Sequence, residues 1–220
     1  MEVILQNEKL IVCVKPSGVL STDEPGGMPG LVREYLGEGA EVRTVHRLDR
    51  VVGGLMLLAL DRDTAAQLGE QISDRSFEKE YLAVVRGVPA EKNGSFIDYL
   101  ERDRRRRMTF VAPGPSKEAR EALLDYELLE SAGGLSLVRV RLRTGRTHQI
   151  RVQFASRGLP LWGDGKYGTA EEMGGIALWS CRLAFTVPGT EQREDIFLPP
   201  PKEYPWTVFS TINSDKAENN

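Results

Sequence analysis

An acid framed by arginines stands at His46-Arg47-Leu48-Asp49-Arg50, with Arg47 two residues before Asp49 and Arg50 directly after it. Nearby guanidinium favours an ionised carboxylate, so Asp49 reads as a side chain kept charged and available as a nucleophile. The competing reading of these five residues is a surface loop held by local ion pairs, which count for little when exposed. A second group is Arg143-Thr144-Gly145-Arg146-Thr147-His148-Gln149-Ile150-Arg151. Its spacing sets His148 and Arg151 on one helix face, with Arg146 just ahead of the helix. Residues 139–157 hold six arginines (139, 141, 143, 146, 151, 157) and no acid, the composition that tracking a phosphate backbone requires. For Arg139, Arg141 and Arg143 the competing reading is a solvated strand face that discourages edge pairing.

Other motifs fail on context. Gly163-Asp164-Gly165-Lys166-Tyr167-Gly168 has the G-x-G-x-x-G spacing of dinucleotide sites. The stretch before it, however, is Leu159-Pro160-Leu161-Trp162 rather than a buried strand, and Gly174-Gly175 interrupts any helix after it. Tyr167 also stands where a P-loop needs Ser or Thr to reach a metal. A tight glycine turn accounts for the segment. Cys13, Cys181, His46 and His148 show no metal-ligand spacing, and G-x-S-x-G is absent.

The elements that must position these residues follow from periodicity and punctuation. Lys9 to Lys15 is β-branched and apolar, a strand stopped by Pro16-Ser17-Gly18. Residues 21–30 read as a mobile loop, and Leu31 to Leu36 as a short helix stopped by Gly37 and Gly39. The unbroken apolar run 54–60 reads as a strand buried on both faces. Asp63 is placed to cap a helix from Thr64 to Ser73 that buries Ala65, Leu68 and Ile72. Period two then dominates, giving strands over 81–87, 123–129 and 135–143. Within the last, Val138 to Arg143 alternates, so arginines line one face and aliphatics enter the core. Thr147 is placed to cap a helix over 148–156 that buries Ile150 and Phe154 and ends at Gly158, and 177–187 returns to strand. Strands with a few interleaved helices make an α+β fold around a mixed sheet. No linker or repeat interrupts 1–212, which reads as a single domain, and 213–220 reads as a frayed, disordered tail.

Composition bounds the rest. The chain has 220 residues, 40% hydrophobic and 28% charged, with two cysteines, which excludes fibrous, disordered and disulfide-scaffold classes. Free, buried thiols, an acid at Glu2 and the lack of an 18-residue apolar run point to a cytoplasmic protein without a membrane segment. A net charge of −3 speaks against a nucleic-acid partner only as a sum. Residues 101–107 and 139–157 carry +9 between them, against −12 elsewhere.

Taken together, these motifs resemble those of the RluA-type pseudouridine synthases, which isomerise uridine in ribosomal or transfer RNA. Lys15-Pro16-Ser17-Gly18, His46-Arg47-Leu48-Asp49-Arg50, Lys79-Glu80-Tyr81-Leu82-Ala83 with Gly87, and Gly145 to Arg151 followed by Gly158, Pro160, Gly163-Asp164 and Tyr167-Gly168 carry the resemblance in order along nearly the whole chain. It implies a mixed, mainly antiparallel sheet with helices and loops around a central RNA cleft. It also implies no accessory RNA-binding module ahead of residue 15. Asp49 is implied to be the nucleophile, with Arg151 paired to it and Tyr81 stacked on the extruded base. Arg47 is implied to fill the gap left by the base or to grip a phosphate, and His46 and His148 to serve as structural hydrogen-bonders. The RNA-contacting set is then His46, Arg47, Arg139, Arg141, Arg146 and His148. No metal or organic cofactor, no obligate protein partner and a monomeric state are expected. Two departures from the family pattern bear on pocket shape: Val51-Val52-Gly53-Gly54 in place of a Thr-Ser-Gly-like turn, and Ala177-Leu178-Trp179-Ser180 in place of Leu-His-Ala. A catalytically silent RNA-binding protein with the same cleft is the alternative function, and a nicotinamide enzyme a distant third.

Overall fold

The computed structural model describes residues 1–37, 39–168 and 175–214; Gly174 and the expected tail from 215 onward lie outside the described residues. In chain order the elements begin with β1 (Val3–Gln6), β2 (Leu10–Lys15), α1 (Met28–Leu36), β3 (Arg43–Thr44), β4 (Gly53–Ala59) and α2 (Arg62–Asp74). Next come β5 (Glu78–Arg86), β6 (Asn93–Asp103), β7 (Met108–Ala112), β8 (Arg120–Ala132), β9 (Leu135–Leu142) and α3 (Gln149–Ala155). The chain closes with β10 (Leu178–Thr186), β11 (Arg193–Phe197), a 3-10 turn (Trp206–Val208) and α4 (Thr211–Ser214). They group into two compact units, Met1–Lys79 with Trp179–Leu198, and Glu80–Leu178 with the chain from Pro199.

The first unit is built around β4. This strand pairs antiparallel with β2 and parallel with β10, while β1 extends β2, β3 joins β4, and β11 runs antiparallel to β10. Its seven residues are all buried because both faces are covered. Leu55, Leu57 and Ala59 pack with Leu10, Val12, Leu68 and Phe185 on the α2 side, and Met56 and Leu58 with Ile11, Cys13, Met28 and Val32 on the α1 side. An unbroken apolar run is what such a strand needs. Both cysteines are buried and outside any disulfide, and burial pushes the Cys13 thiol up to about 12.

The two family departures meet in this unit. Gly53 lies opposite Trp179 and Gly54 opposite Ser180 in the β4–β10 register. A Cβ on Gly54 would stand 2.4 Å from the Ser180 carbonyl oxygen, and Gly54 holds φ 115°, so only glycine lets the strands approach. A Cβ on Gly53 would strike the Trp179 ring at 2.7 Å. The altered turn and the altered strand therefore fit each other.

The second unit is an antiparallel sheet in the order β5-β9-β8-β6-β7, with α3 on one face. Phe154 of α3 contacts the rings of Phe96 and Tyr126 at 5.0 and 5.8 Å, and Val152 packs with Leu100 and Ala122. Strands β6 and β7 have no counterpart in the sequence reading. In β6 acids and an arginine interrupt the apolar positions, and β7 is only five residues long, so neither shows a clean period.

Helix starts also differ from expectation. Asp61, not Asp63, caps α2: its carboxylate accepts the Thr64 N–H at 2.7 Å and the Thr64 hydroxyl at 2.6 Å. Asp63 sits in the first turn, where its charge suits the helix dipole. Before α3, His148 rather than Thr147 takes the cap position, in a left-handed conformation and without a side-chain cap. Gln149 ties the approach instead. Its Oε1 accepts the Arg146 N–H at 2.9 Å and the Thr144 hydroxyl at 2.8 Å, while its Nε2 donates to the Leu123 carbonyl at 3.0 Å.

Candidate active site

Asp49 opens a tight turn in the first unit, closed by a bond from the Val52 N–H to the Asp49 carbonyl at 3.0 Å. Both neighbours are clamped by the segment 15–21. The Ser21 hydroxyl donates to the Leu48 carbonyl at 2.8 Å and accepts the Leu48 N–H at 3.0 Å. On the other side the Arg50 carbonyl accepts the Gly18 N–H at 2.8 Å and the Lys15 ammonium at 3.1 Å. Arg50 returns its Nε–H to the Gly18 carbonyl at 2.9 Å, and Ser17 donates to the Val51 carbonyl at 2.8 Å. The Lys-Pro-Ser-Gly motif thus sets the backbone that carries Asp49. Lys15 is fully buried, its ammonium also holding the carbonyls of Pro16 and Val19 at 2.9 and 2.6 Å. Burial lowers its pKa to about 8, and the negative charge of Asp49 opposes the shift. Sequence reasoning gave Lys15 and Ser21 no role, because only the fold brings them against the catalytic-type motif.

His46 and Arg47 part company. Arg47 is exposed two residues before Asp49. His46 is buried beside Phe77, and its Nε2 accepts the Leu57 N–H at 3.0 Å, so its proton is on Nδ1, which has no partner among the described residues. Burial first, and the charge of Lys79 second, push the His46 pKa down to about 3. Between 6.5 and 3 the unfolded chain binds a proton that the native state refuses, so stability is full above 6.5 and falls with pH below it. From pH 6.5 to 5 the loss is about 2 kcal/mol. Urea midpoints at pH 7 and 5 are expected to differ accordingly, and His46→Gln to flatten the difference; an equal drop in the variant contradicts this assignment.

In the second unit Arg151 is buried and bidentate to Asp164. Its Nε lies 2.8 Å from Oδ2 and its Nη2 2.7 Å from Oδ1. Burial alone would raise the Asp164 carboxyl, but the Arg151 bonds and charge, with the N–H groups of Lys166 and Tyr167, outweigh it and hold the pKa below the ordinary carboxylate value. The glycine turn of 163–168 is therefore the mount of an arginine, not a nucleotide loop. Gly163 (φ 72°) is needed there because a Cβ would overlap the Gly175 carbonyl. Tyr167 joins the same group. Its hydroxyl accepts the Thr109 N–H at 2.8 Å and reaches His148 Nδ1 at 2.8 Å, and its ring lies 5.3 Å under the Arg151 guanidinium. His148 is thereby tied to Tyr167 within this group.

Tyr81 and the arginine strand are not brought together. Residues paired across a ladder share a face. Tyr81 pairs with Val140 and Val140 with Tyr126, whose ring touches α3, so the buried Tyr81 lies on the α3 side. Arg139, Arg141 and Arg143 lie on the opposite face, beside a cavity of about 430 Å³ that Asn93 and Ser95 also line. Their acids come from neighbouring strands: Glu127 lies 3.1 Å from Arg139, Glu80 2.8 Å from Arg141, and Asp125 2.7 Å from Arg143. Each of the three arginines thus has a carboxylate partner on this face. Nor is β9 an edge, since β5 and β8 flank it, so edge protection does not account for the arginines either. Arg146 is exposed and donates its Nε–H to the Glu121 carbonyl at 2.9 Å.

Among the described residues no cluster of three or more His, Cys, Asp or Glu is placed to hold a metal, and no helix is long and apolar enough to cross a membrane.

Comparison with known proteins extends these observations. Residues 9–156 match the family model for RNA pseudouridylate synthases. The chain is 32% identical over 186 residues to the uncharacterized RNA pseudouridine synthase YhcT of Bacillus subtilis, covering 79% of this chain and 59% of that protein. It therefore spans less than two thirds of that relative's length. It is 33% identical over 194 residues to tRNA pseudouridine synthase C of Yersinia pestis, covering 80% of this chain and 74% of the relative. In fold it is similar to human RNA pseudouridylate synthase domain containing 4, with a TM-score of 0.75 over 91% of this chain and 89% of that one at 24% identity. The α+β architecture with a mixed, mainly antiparallel sheet is that of these domains.

Proposed function

The chain belongs to the RNA pseudouridine synthase family, and from that premise we propose that it isomerises uridine to pseudouridine in ribosomal or transfer RNA with Asp49 as the nucleophile. The observation that carries the reading is the clamped turn. Leu48 and Arg50 are fixed through their backbones by Ser21, Gly18 and Lys15, so the Asp49 carboxylate is presented from a set position.

The chemistry needs little more than such a carboxylate. The bond from uracil N1 to ribose C1′ breaks, the base turns, and C5 bonds to C1′; a proton leaves C5 and one is taken up at N1. Nothing is oxidised and no group is lost, so no redox cofactor enters the balance. Asp49 attacks C1′ or uracil C6, or assists elimination to a glycal, in each case acting as a carboxylate beside a breaking glycosidic bond. A uridine in a duplex is out of reach, so the base is flipped, with Tyr81 as the ring it stacks on and Arg47 as the cation for the gap or for a phosphate. Arg151, fixed by Asp164 and backed by Tyr167, is the rigid cation of the reacting set.

The test is nucleoside analysis of unmodified ribosomal and transfer RNA transcripts after incubation with the protein. Pseudouridine is an isomer of uridine and separates from it without a mass change. Its appearance is the expected result; RNA that is bound but unchanged in every transcript would overturn the reading.

A further inference from the structure

The sequence carries two basic segments, and the structure treats them differently. The 139–143 arginines are matched by acids on the face away from Tyr81. The other segment forms the end of the β6–β7 hairpin. Asp103 pairs with Met108, leaving Arg104, Arg105, Arg106 and Arg107 as a four-residue tip in which all four are exposed. The tip has a defined shape: Asp103 Oδ1 accepts the Arg106 N–H at 2.8 Å, its other oxygen lies 3.6 Å from Arg106 Nε, and the Lys166 ammonium donates to the Arg107 carbonyl at 2.8 Å. Asp103 therefore offsets one arginine of the tip. Among the described residues no carboxylate pairs with Arg102, Arg104, Arg105 or Arg107.

Two further features set this tip apart. Arg107 holds φ 52°, a left-handed conformation that glycine or asparagine adopts at less cost, so a charged side chain sits where turn geometry argues against it. The hairpin is also fastened to the α3 side. Leu100 packs with Val152 and Tyr167, and the Thr109 N–H bonds to the Tyr167 hydroxyl, the group that also contacts His148 and Arg151. Leu100 and Arg102 share a face by strand alternation, and Glu101 points the other way.

We propose that this hairpin tip, Arg102 and Arg104 to Arg107 with Lys166, is the element that grips the phosphate backbone of the RNA substrate. The inference rests on the RNA-modifying function argued above and names the surface that holds the RNA for it. Guanidinium forks suit phosphate oxygens, and on this fastened hairpin Asp103 neutralises Arg106 alone, so Arg102, Arg104, Arg105 and Arg107 offer their donors without first breaking an ion pair.

The test is the salt dependence of binding to a fluorescein-labelled uridine-containing RNA stem–loop, read by anisotropy. The variant Arg104→Ser/Arg105→Ser/Arg107→Asn removes three charges and keeps turn-compatible residues; the single Arg105→Glu is the check should the triple variant lose its folded circular-dichroism spectrum. Three lost phosphate contacts make the slope of log K against log salt shallower by about 2. Over a tenfold salt range the affinity gap to wild type then changes about 100-fold. Wild-type slope and affinity in the variants, or no binding by wild type, would overturn the proposal. Pseudouridine formation scored on the same samples separates the two ideas. Modification with an unchanged slope removes the grip alone, and a lost slope without modification by wild type removes the enzymatic reading alone.

Discussion

Replacing Asp164 with asparagine is expected to lower the unfolding free energy by about 3–5 kcal/mol, the cost of removing one partner from a buried ion pair. Arg151 and Asp164 are 4% and 1% exposed, and Asp164 accepts two guanidinium bonds plus the N–H groups of Lys166 and Tyr167. Asparagine keeps the shape but turns an acceptor into a donor that faces a guanidinium. A domain holds about 5–15 kcal/mol in total, so the urea midpoint should fall steeply. The loss also has a pH signature. The Asp164 pKa is depressed in the native state, so its contribution is full above the ordinary carboxylate value and vanishes as pH drops through the lowered one. The wild-type advantage over Asp164→Asn should accordingly shrink under strong acid. A midpoint within experimental error of wild type at pH 7 contradicts the mounting role given to the 163–168 turn.

Asp49→Asn is expected to behave in the opposite way. The bonds that fix its turn run to the backbone of Leu48, Arg50 and Val51 and do not depend on the carboxylate. The fold should persist and lose less stability than in Asp164→Asn, because the Ser21, Lys15, Gly18 and Ser17 bonds to the turn backbone remain. Turnover should fall by more than about 10⁴-fold, the scale seen when a catalytic group that acts as part of a unit is removed. Far-ultraviolet circular dichroism with urea unfolding checks the first expectation, and single-turnover conversion of RNA the second.

Elements whose signal is local were legible in the sequence. Strand β4 shows as an apolar run because both its faces are covered, and β9 by strict alternation. Helix α2 shows by its one apolar face, though its cap falls two residues earlier than read, on Asp61. What depends on register was not legible. The absence of acids between 139 and 157 is true of the sequence and misleading about the fold, since Glu80, Asp125 and Glu127 arrive from strands on either side. The same holds for Asp164. It lies 13 residues after Arg151 in a segment whose glycines suggest a phosphate loop, and its purpose appears only when the turn folds back under α3. Lys15 and Ser21 reach the Asp49 turn from more than 25 residues away. Motif residues were found, and the side chains that hold them were not.

The claim most open to direct contradiction is that Asp49 drives uridine isomerisation. RNA transcripts tritiated at uridine C5 lose label to water whenever C5 is bonded to ribose and deprotonated. Wild type and Asp49→Asn, both shown to be folded and bound to the RNA, are compared under single-turnover conditions. The account predicts tritium release by wild type and none above background by the variant. Equal release by both, or no release by wild type from any ribosomal or transfer RNA that it binds, would contradict it.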